Sequence, residues 1–127
     1  MLAWQESWAE HKYWVMSRSQ QFYNEIRMMA ANNDWTETKE KKYQELLQQA
    51  EALKPTTATL TTAYQHVWGG YFKKCADSTE KKKYLDYLNV LTPENDQLGP
   101  FLTKLTFKYH VAYLEKARLI LQFKEVK

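Results

Sequence analysis

Apolar positions recur at helical steps along nearly the whole chain. They begin with Trp4, Trp8, Val15, Phe22, Ile26 and Met29, three- and four-residue steps that trace one helix face. A single helix over that stretch would be about 45 Å long. A domain of this size has a radius of gyration near 14 Å, so a break is expected. Ser17 followed by Gln20 has the spacing of a capping box and places the break at Ser17 to Ser19. Asn32-Asn33-Asp34 is the next punctuation, and Asp34 with Glu37 reads as a helix start. Tyr43, Leu46, Leu47, Ala50 and Leu53 make the stripe of that helix, which stops before Pro55.

A third long helix is expected from about Thr57 to Cys75, with Leu60, Tyr64, Val67, Trp68, Tyr71 and Phe72 facing inward. Asp77 and Glu80 form another capping pair, ahead of Tyr84, Tyr87, Leu88 and Leu91. After a loop at Thr92 to Gly99, Pro100 suits the first turn of a last helix that runs to about Phe123. Thr56 to Thr62 is rich in β-branched residues, yet the helical step from Leu60 to Phe72 argues against a strand there. The expected architecture is all-α, a compact bundle of five to six helices in one domain over residues 1–127. Trp4, Trp8, Phe22, Leu60, Trp68, Leu105 and Tyr109 are expected to be largely buried.

Composition narrows the classes. Three Gly and three Pro are too few for the turns of a sandwich or barrel. Nineteen aromatic residues supply a core, which excludes a disordered chain. One cysteine, Cys75, excludes an internal disulfide and a cysteine-built metal cluster. Its lone thiol and the lack of a signal-like N-terminus suggest a cytoplasmic protein, and no run of apolar residues is long enough to span a membrane. The net charge of +3 is mild. The excess sits in residues 55–76, through Lys73 and Lys74, and in residues 92–127. Solvated helix faces explain such lysines by default, and a basic face shared by the third and last helices is the sharper alternative.

No phosphate loop, zinc-protease motif, nucleophile elbow or calcium loop is present. The histidines His11, His66 and His110 lack metal-ligand spacing, so no metal and no cofactor is expected. His11 and Arg18 interrupt the buried stripe of the first helix and need polar partners. Thr62, His66, Gly69 and Lys73 share a face of the third helix. Gly69 and Gly70 lie inside a helical pattern, where Gly costs about 1 kcal/mol relative to Ala. Close helix–helix approach is the plain reason for such a pair, and ligand access to the backbone is the alternative.

Several blocks resemble a known family. His11-Lys12-Tyr13-Trp14-Val15-Met16-Ser17-Arg18-Ser19 with Tyr23 is similar to the first block of the YbgA-like bacterial domains. Gln65-His66-Val67-Trp68-Gly69-Gly70-Tyr71-Phe72-Lys73-Lys74 resembles their second block, and Pro100-Phe101-Leu102 with Tyr113-Leu114 the third. The chain departs from the family pattern at Ser17-Arg18, Thr62 and Ala117. The resemblance implies a small helical domain of unknown function. In longer relatives it is appended to a cysteine-rich iron–sulfur desulfidase acting on thiolated pyrimidines, a part that one cysteine cannot rebuild. It therefore implies an accessory or binding role toward a nucleobase, nucleotide or RNA.

Taken together, the expected site is a pocket where His11 and His66 meet across the first and third helices. Lys12, Arg18, Tyr23, Gln65, Tyr71 and Lys73 would complete it. Arg18 and Lys73 would supply charge, Gln65 and His66 hydrogen bonds, and Tyr71 or Trp14 a stacking face. One rival is a homodimeric or partner-binding interaction module. Another is an enzyme with His66 as general base, for which no catalytic set is visible.

Overall fold

The structure is a computed structural model describing residues 2–124. Among these residues it is all-α, with one isolated bridge between Thr92 and Asn95 and no strand. The helices are α1 (Ala3–Met16), α2 (Gln20–Ala30), α3 (Glu37–Ala52), α4 (Thr57–Val67), a π-helical turn (Trp68–Phe72), α5 (Ser78–Asn89), α6 (Leu98–Lys108), α7 (Ala112–Glu115) and α8 (Arg118–Leu121). None of them is long and apolar enough to cross a membrane.

Side-chain caps set the starts of α2 to α5. The first break falls at Ser17 and Arg18, as expected, but the cap is Ser19, whose hydroxyl accepts the Phe22 N–H at 3.1 Å. Ser17 is buried and donates back to the Trp14 carbonyl at 2.6 Å. Thr36, not Asp34, caps α3 by accepting from the Lys39 N–H, while Asp34 pairs with the Lys39 ammonium at 2.6 Å. Thr56 caps α4. Asp77 and Glu80 close the expected box, each accepting the other's backbone N–H at 2.8 and 2.9 Å.

Among the described residues, eight α-helices exceed the expected five to six because the C-terminal stretch divides into three. The first division has a local cause. His110 adopts the left-handed conformation, φ 53°, and the Val111 N–H donates to Thr106 O at 3.0 Å. That 6→1 bond is the Schellman closure, with histidine where glycine is usual.

The core gathers around α1. Five consecutive residues, Tyr13 to Ser17, are buried, so this half of α1 is enclosed on all sides. It packs against α2, α3, α4 and α8. Leu60, Trp68 and Leu105 are buried as expected, whereas Trp4, Trp8, Phe22 and Tyr109 are only half-buried. The reason is position. Trp4 stacks on Trp35 at 4.5 Å near the start of α1, and Trp8 lies between Tyr23 and Tyr43 at the rim.

The glycine pair does not serve close packing. A Cβ at Gly69 or Gly70 would meet nothing within 4 Å, and neither has a positive φ. Gly99 is the glycine that packing requires. A Cβ there would lie 2.7 Å from the Tyr64 hydroxyl and inside contact distance of the Phe123 ring.

Candidate functional site

The third long helix changes character after Val67. Its hydrogen bonding widens to the π pattern, with the Lys73 N–H reaching back to Trp68 O at 2.9 Å. Such turns are uncommon and often occur at functional sites. Gly69 and Gly70 sit at its outer side, exposed. With Thr62, Gln65 and His66 from α4, and Tyr13 from α1, they line a shallow groove of about 440 Å³. Gln65 and His66 are exposed there. The Gln65 amide offers two donors and an acceptor, and the His66 ring a further donor or acceptor.

Tyr13 links this groove to a tyrosine cluster. Its ring meets Tyr71 edge-on at 6.4 Å, and Tyr71 stacks on Tyr113 at 5.9 Å with planes 17° apart. The Lys12 Nζ lies 5.2 Å from the Tyr13 ring centre and 5.8 Å from that of Tyr113. Burial, and then the nearby Arg27 charge, hold the Lys12 ammonium below its usual range. Burial also raises the Tyr13 phenol well above the tyrosine range, reinforced by Tyr71, Tyr113 and Tyr23. Tyr23 borders this cluster and tilts against Trp8 at 5.7 Å.

The expected residues therefore divide. Gln65 and His66 line one groove, and Lys12, Tyr23 and Tyr71 surround the adjoining tyrosines. His11, Arg18 and Lys73 lie elsewhere. His11 stands two residues before Tyr13, about 200° around α1. Its Nδ1–H donates to the Ser7 carbonyl at 2.8 Å, and its ring meets Trp14 edge-on at 6.3 Å. The groove that holds His66 is lined from α1 by Tyr13 and not by His11, whose ring is engaged with the Ser7 carbonyl and Trp14.

Arg18 fastens the first break to the end of α3. It donates to the carbonyls of Glu51 at 3.2 Å and Leu53 at 2.7 Å, satisfying helix-end acceptors. Its Cζ lies 4.9 Å from the Trp14 ring centre, and Arg118 approaches the same ring at 3.7 Å while pairing with Glu51 at 3.1 Å. Burial, then the neighbouring Arg118 charge, lower the Arg18 pKa, with Glu51 opposing. Lys73 belongs to a second groove, with Trp68, Lys81, Tyr84 and Leu85.

Three features escaped the sequence reading. Tyr13 and Tyr113 complete the cluster, although the sequence marked them only as members of the resembling blocks and not as site residues. Glu80 is the third. It is buried, pairs with Lys108 at 2.6 Å and accepts from the Tyr109 hydroxyl at 2.5 Å. Burial alone would raise its pKa. Lys108, Tyr109 and the Asp77 N–H prevail and hold it at about 2. Its capping role was visible in the sequence, but its long-range partners were not. Among the described residues no three His, Cys, Asp or Glu side chains gather to hold a metal ion.

No curated protein and no solved structure matches the chain. A family model described as "Protein of unknown function (DUF1722)" matches residues 12–123. That span includes the glycine groove, Lys12 and all four tyrosines of the cluster, and the chain belongs to this family.

Proposed function

We propose that the protein is a binding module whose ligand-facing surface is the glycine groove, and that its ligand presents a nucleobase, as a free base, a nucleotide or part of an RNA. One observation carries this reading. Gly69 and Gly70 have neither a steric nor a conformational need to be glycine. Each costs about 1 kcal/mol relative to alanine inside a helix. Room above the backbone is what glycine supplies there, and a ligand is what uses room. Gln65 and His66 flank that open floor with the mixed donors and acceptors that a base edge requires. The resemblance to YbgA-like domains supports the same ligand class.

A thermal-shift screen against nucleobases, nucleosides, nucleotides and short RNAs tests the reading, because a ligand of the folded state raises apparent stability. At least one of them is expected to raise Tm in a concentration-dependent way. Gly70→Leu, which fills the floor, should abolish that shift while leaving unliganded Tm within a few degrees. Gln65→Ala should weaken binding about tenfold, the effect of one hydrogen-bonding group of about 1.4 kcal/mol. A screen in which no member shifts Tm, or a Gly70→Leu protein that binds as well as the parent, overturns the proposal.

A further inference from the structure

Residues 77–91 contain three acidic and three basic side chains, so the sequence shows no charge excess there. In the structure two of the three acids are paired with lysines, and the third caps α5. The Asp77 carboxylate accepts the Glu80 N–H, Glu80 holds Lys108, and Asp86 pairs with Lys82 at 3.0 Å. Lys81 and Lys83 form no ion pair among the described residues, and both are exposed.

These two lysines emerge on opposite flanks of α5, about 160° apart around the helix. Each opens onto a groove that contains another exposed lysine without an ion pair. On one flank Lys81 faces Lys73 across a groove of about 290 Å³ walled by Trp68 and Tyr84, which stack at 4.1 Å. On the other, Lys83 shares with Lys104 a groove of about 440 Å³ between α5 and α6. There Tyr87 and Phe101 are half-buried and meet at 5.5 Å, leaving ring surface open to the groove. One unpaired lysine from each of the two segments with a charge excess, Lys73 from residues 55–76 and Lys104 from residues 92–127, thus reaches a groove beside α5.

We propose that α5 and its two flanking grooves form a track for single-stranded nucleic acid. Lys73 and Lys81 hold phosphates on one side of the helix, Lys83 and Lys104 hold them on the other, and Tyr87 with Phe101 stacks a base. A small anion cannot reach lysines on opposite flanks of one helix, whereas a strand crossing α5 can. Aromatic rings interleaved with unpaired lysines suit a polymer with flat bases on an anionic backbone. The track stands on charges outside the glycine groove, so either reading can fail without the other.

The test is fluorescence anisotropy of short labelled RNA and DNA strands of the same sequence, titrated with the full chain. Binding should weaken with salt between about 50 and 200 mM, with a log–log slope near −3 for four phosphates. Replacing Lys73, Lys81, Lys83 and Lys104 together by Glu should weaken binding more than about a hundredfold with an unchanged melting curve. The milder pairs Lys73→Gln with Lys81→Gln, and Lys83→Gln with Lys104→Gln, should each cost about tenfold, and guard against a misfolded quadruple variant. Absence of binding to both strands at low salt, a slope near zero, or full affinity in the Gln pairs overturns the track. So does lysine-dependent binding to phosphatidylserine vesicles in preference to either strand. Loss of nucleoside binding with lysine-dependent strand binding retained would instead be a failure of the glycine groove.

Discussion

Gly99 and the Gly69-Gly70 pair are the chain's only glycines, and the fold treats them in opposite ways. Gly99 lies in the first turn of α6, pressed against Tyr64 and Phe123, with its N–H donating to Asp96 Oδ1 at 2.8 Å. The Tyr64 hydroxyl donates to the other oxygen of the same carboxylate at 2.5 Å. A side chain at Gly99 would therefore push against a hydroxyl that is already held. Gly69 and Gly70 face open space. The same residue type answers to packing at one site and to accessibility at the other. Only the surroundings tell them apart.

The comparison breaks first at Gly99. Gly99→Leu is expected to destabilise by about 3 kcal/mol or more, the upper range for overpacking, measured by urea unfolding. A near-neutral result would mean that Phe123 yields freely and that Gly99 is not sterically required. A second large effect concerns the acidic limb. Glu80 is held at about 2 against an ordinary 4.5, so its charged form is bound more tightly in the folded state. Its contribution should be complete above about pH 4.5 and disappear as pH falls from there toward 2. Glu80→Gln should flatten that limb in unfolding measured across the acid range.

The alkaline limb should respond in the opposite sense. Burial pushes Tyr43 up to about 12, and raises Tyr64 and Tyr13 further. Their stabilising effect is present below pH 10 and should fall as pH rises above it, with tyrosinate absorbance appearing together with loss of helix signal. The smallest expected effect is the sharpest test of the glycine contrast. Gly69→Ala and Gly70→Ala should each stabilise by about 0.5–1 kcal/mol, the helix-propensity difference. Destabilisation by either would show that the π turn itself requires glycine.

Much of the fold was legible because this chain marks the starts of α2 to α5 with hydrogen-bonding side chains. The break near Ser17, the stop before Pro55 and the box at Asp77 all follow from local chemistry. The break at Tyr109 to Val111 did not, since neither Gly nor Pro stands there and His110 supplies the left-handed residue. The site was less legible for a different reason. His11 and Arg18 looked alike in sequence, as polar interruptions of one stripe. The structure satisfies them with the Ser7 carbonyl and the end of α3. Gln65 and His66 share a groove because one helix carries both. Pairing them with His11 required knowing which face of an enclosed helix meets which neighbour, and periodicity does not carry that information.

The enclosure of α1 also has a consequence in time. Trp14 is covered by Arg118, which arrives roughly a hundred residues later in the chain, and α8 packs directly on α1. A ribosome adding about 5–20 residues per second needs about 5–20 s to supply that partner. During that interval the most apolar part of the first helix has α2, α3 and α4 to lean on, but its final wall is missing. α1 thus waits about a hundred residues of synthesis for its last wall, and a nascent chain halted before α8 would present Trp14 as a handle for chaperones.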